Sequence, residues 1–323
     1  MVTILSEADV TQLLTVESLL SPVEDALIKQ GAGEVERPDR PHFPIGAGLE
    51  SADPLGMGLT MPAYIHGEPY AVTKLVSVHE GNEARGLPTV QAQIALTDAR
   101  TGRPVAYMAG TTITNARTGC IGGLAANYLA SDPIRLAVIG AGAQARWQTR
   151  AIAATSTLEA VRIYSPSDSK HDCASDLREE GLPVTAAETA ADAVEGATVV
   201  VTATTSTEPV FPAAALTDAE LVVAVGAFDE SMQELEPAVV DGATALFADV
   251  PEEAAATGDI LPTAYSASDL HPLSDVFTGS TSRPAADGFV LVESVGSAVL
   301  DLAAATTVYQ LAEAEGVGTT VSL

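Results

Sequence analysis

The sharpest chemical signal in the sequence is the run Gly140-Ala141-Gly142-Ala143-Gln144-Ala145. It follows a short apolar strand at 136–139 and opens onto a helical stretch at 143–154. In a Gly-x-Gly-x-x-Ala turn the first glycine permits a tight bend, and the second lets backbone N–H groups approach a pyrophosphate. The third small residue lets helix and strand pack closely. The helix N-terminus adds unpaired N–H donors and a partial positive charge. The spacing alone says little in a chain with 26 glycines, where such a turn can serve packing only. Here strand, turn, helix and the alternation downstream agree. Gly140, Gly142, Ala143 and Gln144 are therefore expected to bind a dinucleotide.

The next strand, at 160–164, should end beside the adenosine ribose, where an NAD site usually places Asp or Glu. The chain instead reads Tyr164-Ser165-Pro166-Ser167, with Lys170 close behind. Hydroxyls and an ammonium group suit a 2′-phosphate. NADP(H) is therefore expected over NAD(H), with Ser165, Ser167 and Lys170 as contacts. The alternative is a solvated turn that discriminates poorly.

These residues need a scaffold. From about residue 113 the sequence alternates strand and helix, with strands expected at 136–139, 160–164, 199–203, 221–225 and 245–248. Helices are expected at 116–130, with Thr114 as cap, and at 143–154 and 173–180. That alternation predicts an α/β fold with a parallel, Rossmann-type sheet covered on both faces. The first 110 residues read differently. A helical segment at 7–30, capped by Ser6 with Asp9 and broken at Ser21-Pro22, precedes a loop rich in Pro and Gly at 34–56. Strands follow at 58–62, 70–78, 90–98 and 104–109, punctuated by Gly67, Gly81 and Thr101-Gly102. A last helix at 298–314 has no strand expected after it.

At 323 residues the chain is long enough for two domains, and its 47% apolar content supplies a core. Asp and Glu total 43 against 15 Lys and Arg, a formal charge of −28. That balance excludes a general nucleic-acid binder and disfavours an anionic membrane surface. A folded protein suited to concentrated salt, where the Debye length falls to about 3 Å, is expected over a disordered acidic binder. No membrane span or signal peptide is read, and Cys120 and Cys173 do not make a disulfide scaffold, so a cytoplasmic location is expected. His79-Glu80 lacks partners at metal-ligand spacing, and no metal site is expected. Neither cysteine is read as a nucleophile, Trp147 is read as packing, and no Gly-x-Ser-x-Gly elbow exists.

Several further segments carry a family resemblance. They are Met61-Pro62-Ala63-Tyr64, Thr73-Lys74-Leu75-Val76 with Glu80-Gly81-Asn82, and Gly86-Leu87-Pro88. They continue with Leu96-Thr97-Asp98-Ala99-Arg100-Thr101-Gly102 and Ile113-Thr114-Asn115-Ala116-Arg117-Thr118. Gly140-Ala141-Gly142-Ala143-Gln144, Ser294-Val295-Gly296 and Asp301 complete the set. In order and spacing they resemble the ornithine cyclodeaminase/mu-crystallin family, which includes archaeal alanine dehydrogenases and cyclic ketimine reductases. The resemblance implies a dinucleotide-binding Rossmann domain at 119–297. It also implies a β-rich substrate and dimerisation domain built from 1–118 and 298–323, and a homodimer. Its substrates would be small amino, imino or keto acids.

By that resemblance Arg40, with Arg37 as the other candidate in the same loop, and Arg117 bind the substrate carboxylate. Lys74 is the active-site lysine. Thr118 reaches a phosphate, Val295 and Gly296 lie by the nicotinamide, and Ala203 and Thr204 join the cofactor contacts. Cations converging on one pocket of so acidic a chain would draw in a carboxylate, and arginine grips it with two parallel hydrogen bonds. One departure matters. Where family cyclodeaminases and alanine dehydrogenases carry a catalytic Asp after Gly-Gly or Gly-Ala, this chain reads Gly226-Ala227-Phe228-Asp229, so Asp229 is the catalytic candidate but stands one place late. The cyclodeaminases' acidic residue two places before Met61-Pro62 is also missing, since Leu59 stands there, and both absences weaken the ornithine-cyclising lyase reading.

The resemblance thus implies reversible hydride transfer at the C–N bond of a small amino or imino acid, as in an alanine dehydrogenase or cyclic imine reductase. Two alternatives stand beside it. One is a lyase turning ornithine into proline and ammonia with NAD recycled. The other is an NADP-gated small-molecule binding protein of mu-crystallin type.

Overall fold

The computed structural model describes residues 1–284 and 288–322. The chain forms two compact units: Met1–Arg117 with Ser297–Leu323, and Thr118–Gly296.

The first unit starts with strand β1 (Val2–Leu5) and helices α1 (Glu7–Leu13) and α2 (Val16–Gly31). Ser6 caps α1, and its own N–H donates to Asp9 at 2.8 Å. The expected break at Pro22 is not found: α2 runs through it. The interruption falls at Leu14-Thr15 instead, because Thr15 and Ser18 form a second capping box that starts a new helix. Burial of Val16, Leu19, Val23, Ala26 and Leu27 along one face holds α2 together although Pro22 lacks an N–H.

The sheet of this unit contains β2 (Val35–Glu36), β3 (His42–Ile45), β4 (Gly56–Ile65), β5 (Tyr70–Val78), β6 (Val90–Asp98) and β7 (Pro104–Ala109). β2 and β3 correct the reading of 34–56 as loop; each is short and pairs along β4. Alternation sends Leu59, Met61, Ala63, Val72, Val76, Ile94 and Leu96 to the covered face. Lys74 has the same parity and pairs with Met61 on one side and Ile94 on the other. It is thereby driven inward among apolar neighbours, under the C-terminal helix Ala298–Glu315. A last strand, Thr319–Val321, follows that helix and pairs antiparallel with β1, correcting the expectation of none. Three residues after the left-handed Gly316 cap are too few to show a strand period.

Helix α3 (Thr111–Leu129) begins before the expected cap; Thr114 lies inside it, its N–H donating to the Gly110 carbonyl. The unit boundary falls within α3.

The second unit holds β8 (Ile134–Ile139), α4 (Ala143–Thr155), β9 (Leu158–Tyr164), α5 (Ser169–Glu179) and β10 (Val184–Ala186). It continues with β11 (Val199–Thr202), β12 (Leu221–Ala224), β13 (Leu246–Ala248), β14 (His271–Pro272) and β15 (Val290–Glu293). The strand order is β10-β9-β8-β11-β12-β15-β13-β14, and every pairing is parallel. β15, absent from the sequence reading, inserts between β12 and β13. It is four residues long and ends on a charge, Glu293, which masks its apolar character. The order reverses between β8 and β11, and in such sheets ligands bind outside the strands' carboxyl ends at that switch point. Among the described residues no helix is long and apolar enough to cross a membrane.

Candidate active site

In the first unit three charged side chains meet out of contact with water. Asp301, in the first turn of the C-terminal helix, is 0% exposed; Lys74 of β5 is 1% and Arg117 of α3 is 4% exposed. Lys74 Nζ stands 2.6 Å from Asp301 Oδ2, and Arg117 Nε donates to Oδ1 at 2.9 Å. The lysine contact is a close ion pair. Half-buried Arg40 acts on Lys74 by its charge, while Arg37 sits in the same loop, also half-buried.

Burial lowers the proton affinity of Lys74 most, and the Arg117 and Arg40 charges add to it. The Asp301 charge opposes them, and the outcome is a pKa of about 8. Burial alone would raise Asp301, but Arg117 and Lys74 outweigh it and hold the carboxyl below its usual range. The cluster carries more positive than negative charge, so it suits an anion, and it holds an amine able to exchange a proton near neutral pH.

In the second unit Gly140 has φ 119°, and a Cβ there would lie 2.4 Å from the Ala203 carbonyl oxygen. That contact sets the turn against the end of β11. Gly142 caps α4 without a side-chain hydrogen bond, and a Cβ on it would meet nothing within 4 Å. Ala143 is exposed and Gln144 half-buried, while Ala145 is fully buried against the sheet. The open first turn of a 13-residue helix fits a pyrophosphate, which requires backbone N–H donors and no intruding side chain.

At the tip of β9 the Ser165 hydroxyl lies 3.1 Å from Ser169 Oγ, and Ser167 Oγ lies 2.7 Å from Ser169 Oγ. Ser169 is an addition to the residues read from sequence. Lys170 Nζ stands 5.2 Å from the centre of the Tyr164 ring, and exposed Asp168 lies in the same turn. Thr118 is buried, and its carbonyl accepts from Gln148 Nε2 at 2.9 Å. Trp147 stacks with Arg150, whose guanidinium carbon is 5.3 Å from the ring centre.

Sequence reasoning missed four buried carboxylates at the strands' carboxyl ends: Glu234, Asp249, Asp259 and Glu293. Glu234 accepts from Thr204 and from the Gly226 N–H. Asp249 accepts from the Val295 N–H at 3.0 Å, the Gly296 N–H at 2.8 Å and the Ser294 hydroxyl at 2.8 Å. Burial pushes Glu234 up to about 7 and Asp259 up to about 6, against the hydrogen bonds that lower them. Glu293 is raised well above its usual value by burial and by the charges of Asp259, Glu234 and Asp249. The signal was a carboxylate directly following a fully apolar strand, as at Asp249 after 246–248. Among 43 acidic residues it does not stand out.

Asp229 is turned to local use: its Oδ1 accepts from the Ser231 N–H at 2.8 Å, the Ser231 hydroxyl at 2.7 Å and the Met232 N–H at 3.2 Å. Among the described residues no group of three His, Cys, Asp or Glu side chains is arranged to hold a metal.

The sequence model of the ornithine cyclodeaminase/mu-crystallin family matches residues 1–316. A Delta(1)-pyrroline-2-carboxylate reductase of Bacillus cereus is 31% identical over 290 residues, covering 87% of this chain and 89% of that one. The structure of Thermococcus litoralis Delta(1)-pyrroline-2-carboxylate reductase with NADH and L-proline is similar at a TM-score of 0.93 and 29% identity, over 99% of this chain and 100% of that one. An archaeal alanine dehydrogenase dimer with bound NAD is similar at a TM-score of 0.89 and 28% identity, over 100% and 99% of the two chains.

Proposed function

The chain belongs to the ornithine cyclodeaminase/mu-crystallin family, and on that premise we propose that it is a nicotinamide-dependent oxidoreductase that reduces the C=N bond of a small imino acid, cyclic or formed from a keto acid and ammonia, and oxidises the amino acid in reverse. The observation that carries this reading is the buried Lys74–Asp301–Arg117 cluster, a net-cationic site with a proton to give. Arg117 and Arg40 bind the substrate carboxylate. Asp301 keeps Lys74 and Arg117 at fixed positions by sharing one oxygen with each. Lys74 delivers the proton to the imine nitrogen and takes it back in the reverse reaction. When bound, the reduced nicotinamide supplies the hydride that the imine carbon takes up. Gly140, Gly142, Ala143 and Gln144 hold its pyrophosphate; Thr118, Ala203, Thr204, Val295 and Gly296 complete the contacts. Proton to nitrogen and hydride to carbon balance as one two-electron reduction.

The cyclodeaminase alternative is less well supported, because the Asp229 carboxylate is engaged in its own turn. Following reduced-nicotinamide absorbance with pyrroline-2-carboxylate, and with pyruvate plus ammonia, tests the proposal. Turnover of ornithine to proline without added reductant, or no turnover with any of these, rejects it.

Three finer points extend the reading. NADP(H) is the proposed preference, supported by the Ser165–Ser167–Ser169 hydroxyls and Lys170; the two similar structures carry NADH and NAD. A homodimer is proposed through the open face of the first unit's sheet. Register places Thr60, Leu75 and Gln93 in one row, and Pro62, Thr73, Ala95 and Tyr107 in the next. Neither row holds a charge, in a chain of net charge −28, and Leu75 and Tyr107 are 38% and 42% exposed. A salt-rich cytoplasm is the proposed setting, supported by that charge and by two buried free cysteines.

A further inference from the structure

Glu234 is fully buried, and no step of the proposed chemistry uses it. Its carboxylate reaches the ends of two neighbouring strands. Oε1 accepts the Thr204 N–H at 2.6 Å and the Thr204 hydroxyl at 2.7 Å, just beyond β11. Oε2 accepts the Thr202 hydroxyl at 2.8 Å and the Gly226 N–H at 2.9 Å, the latter just beyond β12. A carboxylate has about four lone-pair sites, so every one is engaged. The Glu234 backbone is itself held, since its N–H and that of Leu235 donate to Asp259 Oδ1 at 2.6 and 2.7 Å.

The tie is tight enough to dictate sequence. A Cβ on Gly226 would stand 2.5 Å from the Glu234 carboxyl carbon and 2.2 Å from the Thr204 carbonyl oxygen. Thr204 adjoins Ala203, whose carbonyl forms the wall against Gly140 of the phosphate turn. A shift at Thr204 therefore moves the floor of the turn. An ionisable group is an expensive tie in a dry interior, where apolar packing would join two loops at less cost. What a four-point acceptor adds is a single fixed register for both loops.

We propose that Glu234 is the positioning residue of the dinucleotide-binding edge, fixing Thr204 and Gly226 so that the ends of β8, β11 and β12 form one nucleotide-ready surface. The proposal rests on the nicotinamide-nucleotide reading above. Its test titrates NADH and NADPH into the full chain as wild type, Glu234→Gln and Thr202→Val. The same samples are followed for amide hydrogen exchange at Thr204 and Gly226 without nucleotide. The Gln amide cannot accept on both sides, so affinity for the preferred nucleotide falls about tenfold or more, and exchange at both amides accelerates. Thr202→Val removes one donor inside β11 and costs about threefold. The KM for the imine stays within about twofold in both variants, which a general loosening of the fold would not give.

No uptake by the wild type overturns the nucleotide reading and this proposal with it. Uptake by the wild type with unchanged affinity in either folded variant overturns this proposal alone. If Glu234→Gln fails to fold, Thr202→Val decides by the same criterion.

Discussion

The ammonium of Lys74 stands 2.6 Å from Oδ2 of Asp301, with both side chains withdrawn from solvent. Asp301 also holds Arg117, so one carboxylate balances two buried cations. Removing a single partner of a buried ion pair costs about 3–5 kcal/mol because the remaining charge is left without compensation. Asp301→Asn keeps the shape and removes the charge. Its unfolding free energy should fall by about that amount in denaturant titrations, and a variant as stable as wild type would show that the pair is not held as described.

Lys74 sets the pH dependence of the proposed chemistry. Imine reduction needs the ammonium, so the rate should fall as pH rises through about 8. Amine oxidation needs the free amine and should rise through the same value. Asp301→Asn removes the charge that raises Lys74, so both limbs should move to lower pH. Lys74→Met should lower kcat by about 10²- to 10⁴-fold in both directions while nucleotide binding stays unchanged. A loss of less than about tenfold would remove Lys74 from proton transfer.

How much of this was readable in the residues depends on range. The Gly140–Ala145 turn was legible because its constraints are local: a bend, an open approach and a close packing contact lie within one strand–helix junction. The inward aim of Lys74 follows from strand alternation once 70–78 is read as β. The meeting of Arg117 with Asp301 was not legible from residue types, since 184 residues separate them, and Asp301 stood only as part of the family pattern. A lone charge in the apolar run 298–305 was the available signal. The short strands β15 and 319–321 lie below the length at which a period shows. Glu234 and Asp249 accept from backbone N–H groups, which carry no side-chain signature, and otherwise only from Thr and Ser hydroxyls, which are common throughout the chain.

The hydroxyl cluster at the tip of β9 should decide between the two nucleotides. If Lys170 neutralises a 2′-phosphate, Lys170→Ala should raise KM for NADPH about tenfold and leave KM for NADH within about twofold. Ser165→Asp should do the reverse, accepting from the ribose hydroxyls and repelling the phosphate. Equal changes for both nucleotides would show that the turn does not read the 2′ position.

Stability should fall with rising pH across the acidic to neutral range. Burial raises Glu234 from its ordinary 4.5 to about 7 in the fold, and Asp259 from 3.8 to about 6. The native protein therefore binds more protons than the unfolded chain between those values. This contribution is fully present below about pH 4 and lost as pH passes about 7. Thermal melts between pH 5 and 8, run in molar salt to screen surface repulsion, should show Tm decreasing. Glu234→Gln cannot ionise and should flatten the slope; an equally steep slope in that variant would assign the effect to other groups.

The uncharged sheet face leads to the last prediction. A protein with 43 acidic residues keeps charge off a solvated surface only where something covers it, and the rows through Leu75 and Tyr107 hold none. The proposed second copy would cover it, burying the same two rows on each side and desolvating no carboxylate. High salt strengthens such apolar contact as it screens the repulsion between two chains of −28 each. Sedimentation in molar salt should give twice the chain mass of 33.0 kDa. Leu75→Glu with Tyr107→Glu would place carboxylates opposite one another across the interface and should yield monomer. A wild type sedimenting as monomer, or a double variant that remains dimeric, would move the interface elsewhere.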